Sequence, residues 1–424
     1  MFPLDPLLRR FVRQGHLLVT DHRGRTHHYG DKARPLDAAV RLHDAHLPWR
    51  LAHNPAYHLG QAFTDGVLTL DEGSLLSLLG LVLSNTAELN KTRAVRLLYK
   101  LDELATLPAV VNRIPGSRRN AAHHYDLSGA LFALFLDSDR QYSCAYFRAE
   151  GNDLETAQLA KKQHIAAKLF IHPGQHVLDI GSGWGGLALY LARHYPTVRV
   201  TGLTLSAEQL QASTERARQL GLSDRVTFKL MDYRQENGVY DRIVSVGMFE
   251  HVGKPHFGTF FDKVAALLKP KGAALIHTIA YQTPYGGINP WLRRNIFPGA
   301  YLPGLSQLIP HLEKKRRFWL TDLENLRLHY AYTLAAWHER FQSNRERIAQ
   351  LYDERFCRMW EFYLQSCEAG FRWGGLTVLQ LQIAAAIDAL PITRDYIAEE
   401  EARLRAADAV LTRSPIAPSQ AVSG

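Results

Sequence analysis

The stretch that decides the fold is Val177-Leu178-Asp179-Ile180-Gly181-Ser182-Gly183-Trp184-Gly185-Gly186. A strand-like run passes into closely spaced glycines, and Leu187–His194 continues with the spacing of a helix. Glycines are needed where the backbone turns tightly and a ligand approaches with no Cβ in the way. On its own the turn fits either a dinucleotide or S-adenosylmethionine. Two features favour the sulfonium cofactor. Asp179 stands just before the first glycine, where a carboxylate suits the ammonium of a methionine moiety and would repel a pyrophosphate. About twenty residues on, where a ribose-binding acid is expected of a dinucleotide site, the chain reads Thr204-Leu205-Ser206-Ala207-Glu208-Gln209, with no acid at the strand end. Ser206 and Gln209 also have the spacing of a helix capping box, and the two roles are compatible. Asp232, followed by Tyr233 in Leu230-Met231-Asp232-Tyr233, is placed to accept a hydrogen bond from an adenine amine.

Outward from the turn, strand-like and helical segments alternate. Helices are expected at Asp153–Phe170, Leu187–His194 and Ala207–Leu220. Strands are expected at His176–Ile180, Val198–Leu203, Val226–Leu230, Ile243–Val246 and Ala274–Thr278. Strands separated by helix-length segments imply crossovers and a parallel sheet, hence an open α/β domain, the class to which Rossmann-like sheets belong. A proline- and glycine-rich excursion runs from Thr283 to about Pro310, and long helices return at Leu323–Leu351 and Arg355–Ala369. Residues 1–105 read as a small α+β domain. It has strand-like runs around a turn at Asp21–Arg25 and near Gly66–Leu70, then helices at Leu75–Leu83 and Arg93–Leu104. Residues 106–120 read as a linker, 121–392 as the catalytic domain, and 393–424 as a helix fraying into a disordered tail.

The whole chain of 424 residues is 46% hydrophobic and 21% charged, which excludes disordered and fibrous classes. The net charge of +9 points to an anionic partner. Residues 1–120 hold 16 Lys+Arg against 11 Asp+Glu, so they carry more than half of the excess. Cys144, Cys357 and Cys367 form no CxxC pair, so neither a disulfide framework nor a structural zinc site is expected. No apolar run is long enough to span a bilayer and no secretory leader is indicated, so a cytoplasmic protein is expected.

Several further motifs, in order, resemble the cyclopropane-fatty-acid-phospholipid synthases, relatives of the mycolic acid cyclopropane synthases. They are His124-Tyr125-Asp126-Leu127, Gln141-Tyr142-Ser143-Cys144-Ala145-Tyr146, the glycine turn, and Gly202-Leu203-Thr204-Leu205-Ser206. Asp241 to Gly253, Ile276-His277-Thr278-Ile279, Trp337-His338-Glu339-Arg340-Phe341 and Tyr363-Leu364-Gln365-Ser366-Cys367 follow. The resemblance runs from His124 to about Ala384 and implies a class I methyltransferase sheet with a helical insertion. For cofactor contacts it implies Tyr142 and Ser143, the glycine turn, and Thr204 to Gln209, with Asp232 and Tyr233 beside them. At Ser182, where many members have cysteine, a serine is small enough to keep the turn.

The implied reaction is methylenation of a cis double bond in a phospholipid acyl chain. An alkene carries no proton to remove before it attacks the sulfonium methyl. Attack leaves a carbocation, and ring closure needs a proton to leave afterwards. Such a site must be dry, lined with π-faces and provided with a base beside apolar carbon. The aromatics Tyr142, Tyr146, Phe147, Phe249, Tyr330 and Trp337 crowd the motifs. The resemblance implies that the base is bound bicarbonate, caged by Cys144, Glu250, His277, Ile279 and Tyr330. Cys144 and Ile279 would act through backbone groups, and Glu250 by accepting the bicarbonate proton. Cys367 matches a family cysteine, but methyl transfer to an alkene needs no thiolate, and cysteine is often a small buried hydrophobe.

The resemblance also implies membrane phospholipid with unsaturated acyl chains as partner, a peripheral anionic surface on the inner face of the membrane, and a homodimer. Residues 1–105 would help to engage lipid. Arg113, Arg118 and Arg119, with Lys314-Lys315-Arg316-Arg317, are the expected contact surfaces. A methylene- or methyl-branched product is the alternative outcome of the same cation. Amine methylation would need no such base, and an inactive lipid-binding scaffold would be expected to have lost the turn or the cage. No base-flipping motif, zinc ribbon or RNA-binding module is present, so no nucleic acid is expected as a partner.

Overall fold

The computed structural model describes residues 1–89, 129–283, 288–314 and 318–413. Helix Arg93–Leu104, the linker with Arg113–Arg119, the motif His124–Leu127, most of the 314–317 basic run and the tail beyond 413 lie outside the described residues.

Near the N-terminus, β1 (His16–Thr20) and β2 (Thr26–Gly30) form an antiparallel hairpin. The turn between them closes as expected: Asp21 Oδ1 accepts from Arg23 N and Arg25 N, both at 3.0 Å. The sequence reading missed β3 (Ala38–Leu42), which lies parallel to β1 and antiparallel to β4 (Leu68–Gly73). The order of this sheet is β2-β1-β3-β4.

The second sheet has seven strands: β5 (His176–Ile180), β6 (Arg199–Thr204), β7 (Val226–Leu230), β8 (Tyr240–Val246), β9 (Leu268–Tyr281), β10 (Trp319–Asn325) and β11 (Leu376–Ala384). Its order is β10-β11-β9-β8-β5-β6-β7. The pairs from β7 to β9 are parallel, and β11 runs antiparallel to both of its neighbours. All five strands expected from alternation are present. From β5 the chain goes first to β6 on one side and later to β8 on the other. That reversal opens a crevice at the carboxyl ends of the strands, where open α/β sheets take their ligands.

Two strands were not read. The segment expected to begin a helix at Leu323 is still strand β10 to Asn325, and helices follow only at His329–Ser343 and Arg345–Leu351. β11 is almost wholly buried although it carries Thr377, Gln380 and Gln382. Polar residues in a central strand mask the continuous apolar run by which buried strands are recognised. Their partners come from elsewhere in the chain. Gln382 Nε2 donates to Tyr396 Oη at 2.7 Å, and Gln380 Nε2 lies 3.2 Å from His277 Nδ1.

The apolar cluster of residues 1–89 continues into the catalytic half. Leu17, Leu42, Phe63 and Leu78 belong to one apolar cluster with Trp291, Trp337, Trp360 and Phe362. Gly60, in helix Pro55–Thr64, marks the closest approach: a Cβ there would lie 2.6 Å from Phe362 and 2.8 Å from Trp291. Arg358 Nε donates to Thr64 O at 3.0 Å, and Arg355 pairs with Asp65 at 2.8 Å. Residues 1–89 thus pack on the long helix Glu354–Trp373, which reaches into the catalytic half.

The C-terminal helix, Asp395–Arg413, is docked rather than frayed. Glu401 pairs with His164 Nδ1 at 2.5 Å and Arg148 at 3.2 Å, while Asp408 pairs with His194 at 2.9 Å. Leu404 is fully buried beneath them.

Candidate active site

One cavity opens at the carboxyl ends of β5, β6 and β8. Of the twelve residues expected to hold the cofactor, eleven line it: Tyr142, Ser143, Asp179, Gly181, Ser182, Gly183, Thr204, Leu205, Gln209, Asp232 and Tyr233. Ser206 does not. It caps helix Ala207–Gln219, its hydroxyl accepting from Gln209 N at 3.3 Å, so of its two compatible readings the structure displays the cap.

The turn has the form its glycines require. Gly181 sits at φ +86°, and a side chain there would strike Met248 at 2.9 Å. Gly181 N and Ser182 N both donate to Leu203 O, at 3.0 and 2.8 Å, which ties the loop to β6. Gly183, at φ +53°, faces open space. Asp179 is buried at the foot of the turn, and burial pushes its carboxyl up to about 7, an energetic demand that a cationic ligand would relieve. Asp232 is occupied by a neighbour that the sequence reading missed: Arg234 Nε donates to Oδ1 at 2.8 Å and a terminal nitrogen to Oδ2 at 2.6 Å.

Of the residues expected to cage an anion, Glu250 and Ile279 are in direct contact, and His277 lies on the same strand as Ile279. Glu250 is buried, and its Oε1 accepts from Ile279 N at 2.6 Å. Its Oε2 is buried with no hydrogen-bond partner among the described residues, and burial raises the carboxyl to about 7. The Tyr330 phenol is pushed well above its usual range, first by burial and then by Tyr142, Cys144, Cys367 and Glu250 around it. His277 stands two residues before Ile279 on β9, on the same face of the strand. Burial holds it neutral, with a pKa near 3. Gln380 Nε2 lies 3.2 Å from its Nδ1, which ties the ring to β11 and leaves Nε2 as the nitrogen for a further partner.

Aromatic rings enclose this region. Tyr142 stacks on Trp337 at 5.2 Å and its hydroxyl meets that of Tyr363 at 2.6 Å. Tyr330 meets Trp337 edge-on at 5.8 Å and Phe371 at 4.9 Å. The other three expected aromatics serve elsewhere: Tyr146 stacks between His164 and His329, Phe147 lies against His329 and Tyr332, and Phe249 packs with Phe257 and Phe260. Burial raises the thiols, Cys144 above its usual range and Cys367 to about 12, so both stay protonated at neutral pH.

Lys161 was also missed. It lines the cavity, is 1% exposed, and donates to Ser143 Oγ at 2.8 Å. The signal was present: Leu154, Ala157, Gln158, Lys161, Ile165 and Leu169 share one helical phase, so polar residues occupy buried positions.

Comparison with known proteins places this geometry. The family model for mycolic acid cyclopropane synthetase matches residues 114–381. The cyclopropane-fatty-acyl-phospholipid synthase of Escherichia coli (strain K12) is 43% identical over 265 residues, 62% of this chain and 67% of that protein. A probable fatty acid methyltransferase of Pseudomonas putida is 34% identical over 358 residues, 81% and 86% of the two chains. The crystal structure of mycolic acid cyclopropane synthase CmaA1 complexed with SAH and CTAB superposes with a TM-score of 0.59 at 32% identity. It covers 63% of this chain and 98% of that one. A seven-stranded methyltransferase sheet, a glycine turn under an acid and this sequence kinship agree: the chain belongs to the mycolic acid cyclopropane synthetase family and is an S-adenosylmethionine-dependent methyltransferase.

Proposed function

We propose that the protein is a cyclopropane-fatty-acyl-phospholipid synthase, adding a methylene to the cis double bond of a phospholipid acyl chain with bicarbonate as the base. The observation that carries this reading is the buried Oε2 of Glu250, which has no hydrogen-bond partner among the described residues, together with the aromatic enclosure of Tyr330 by Trp337 and Phe371. A buried acceptor left unpaired costs free energy unless a proton donor fills the site, and the hydroxyl of bicarbonate is such a donor.

When bound, the cofactor supplies an electrophilic methyl and bicarbonate supplies the final base. The chain's own residues do the rest. Asp179 and the glycine turn receive the methionine end of the cofactor. Tyr142, Tyr330, Trp337 and Phe371 exclude water and present π-faces to the cation that forms on the acyl chain. Glu250 takes a proton at Oε2. His277 Nε2, the Tyr330 hydroxyl and the backbone near Cys144 and Ile279 hold the anion. Cys367 contributes packing.

Among the described residues no helix is long and apolar enough to cross a membrane. With the net charge of +9, we propose a homodimer held to an anionic leaflet by basic side chains, with residues 1–105 assisting. Vesicle binding that did not weaken with added salt would contradict this attachment. The chemistry is tested by incubating the enzyme with S-adenosylmethionine and vesicles of unsaturated phospholipid. Cyclopropanation adds about 14 mass units, one CH₂, per double bond lost, and product NMR separates a ring from a methylene or methyl branch. No mass gain across several lipids would refute the proposal.

A further inference from the structure

Lys161 is a buried cation that neither the glycine turn nor the anion cage accounts for. From helix Leu154–Leu169 it acts with Gln158, three residues before it, on a single loop. Gln158 Nε2 donates to Ser143 O at 3.0 Å and to Gln141 O at 3.2 Å, while Lys161 Nζ donates to Ser143 Oγ at 2.8 Å. The loop so held carries Tyr142 and Cys144. Burying an ammonium is costly unless it is paired. Lys161 has no ion pair among the described residues: Asp137, Asp139, Lys162 and Cys144 act on it only at longer range. It lines the cavity with Asp179 and is the charged group that offsets the burial penalty of that carboxyl. A costly cation kept against the cavity wall and aimed at the binding loop is a feature of function rather than of packing.

We propose that Lys161 is a positioning residue for the methionine end of the cofactor. Its ammonium fixes the Ser143 loop and sets a positive charge against the Asp179 carboxylate across the cavity floor, so that the cofactor's own ammonium meets a preformed anion. The proposal rests on the S-adenosylmethionine reading of the cavity. Calorimetry on the full chain at pH 7 tests it with two ligands, S-adenosylhomocysteine and 5′-methylthioadenosine, which lacks the amino-acid end. Lys161→Met removes charge and hydrogen bond together, whereas Lys161→Gln keeps a donor toward Ser143 without the charge. Each variant is expected to weaken S-adenosylhomocysteine about tenfold, the equivalent of one pKa unit, and to leave 5′-methylthioadenosine unchanged. Full S-adenosylhomocysteine affinity in the Gln variant, or equal weakening of both ligands, overturns the proposal. A wild-type protein that binds neither ligand overturns the cofactor reading itself.

Discussion

Replacing Glu250 with Gln separates the chemistry of the site from the stability of the fold. The amide oxygen of Gln can still accept from Ile279 N, as Glu250 Oε1 does at 2.6 Å. The other oxygen, buried and unpartnered, becomes an NH₂ that donates and cannot accept a proton. A hydrogen bond to a charged group is worth about 1.5–3 kcal/mol, so kcat is expected to fall roughly 10–150-fold. Glu250 does not line the cofactor cavity, so affinity for S-adenosylhomocysteine is expected to stay unchanged. Stability moves the other way. The folded-state pKa is raised from 4.5 to about 7 by burial, so the native chain binds this proton more tightly than the unfolded chain. The burial cost is absent below pH 4.5, grows as pH rises, and is complete above pH 7, where it reaches about 3 kcal/mol. Gln never ionises and escapes that cost. Between pH 5 and pH 8 the variant is therefore expected to gain about 2–3 kcal/mol relative to wild type, read from urea midpoints. The acid limb near pH 7 in the wild-type rate profile should disappear in the variant. Wild-type turnover in the variant, or a stability difference that ignores pH, would refute the reasoning.

Gly60→Ala places a methyl group 2.6–2.8 Å from two buried rings, and is expected to cost about 1–3 kcal/mol in denaturation. It should lower activity more than cofactor affinity, because helix Glu354–Trp373 carries Tyr363 and Cys367. Cys367→Ser should keep activity within about fivefold, and alkylation of the native thiol should be slow at pH 7, since only the thiolate reacts and this thiol's pKa is about 12. Glu401→Gln should loosen the C-terminal helix. Burial alone would raise Glu401, but the hydrogen bond and charge of His164, with Arg148, bring it below the ordinary 4.5. Its contribution is present above pH 4.5 and lost as pH falls through the lower folded value. Wild type and variant should therefore differ in proteolysis of this helix at pH 7 and converge in acid.

The sequence by itself determined whatever local chain geometry can express. A strand, a glycine turn and a helix at 177–194 follow from steric rules that act over a few residues, and so do the five parallel strands and the cap at Ser206. The family, and with it the residues to look for, came from motif order. Only the tertiary structure decided where distant groups meet. β11 was illegible because the side-chain amides of Gln380 and Gln382 find their partners in His277, Lys168 O and Tyr396, outside their own strand. Lys161 went unread because only the fold encloses it beside Ser143. Nothing local in the basic N-terminal segment announces that Gly60 and its neighbours pack against Trp291 and Phe362, more than 200 residues further on. Periodicity records which side of an element is buried, but the partner that buries it is chosen by packing in three dimensions.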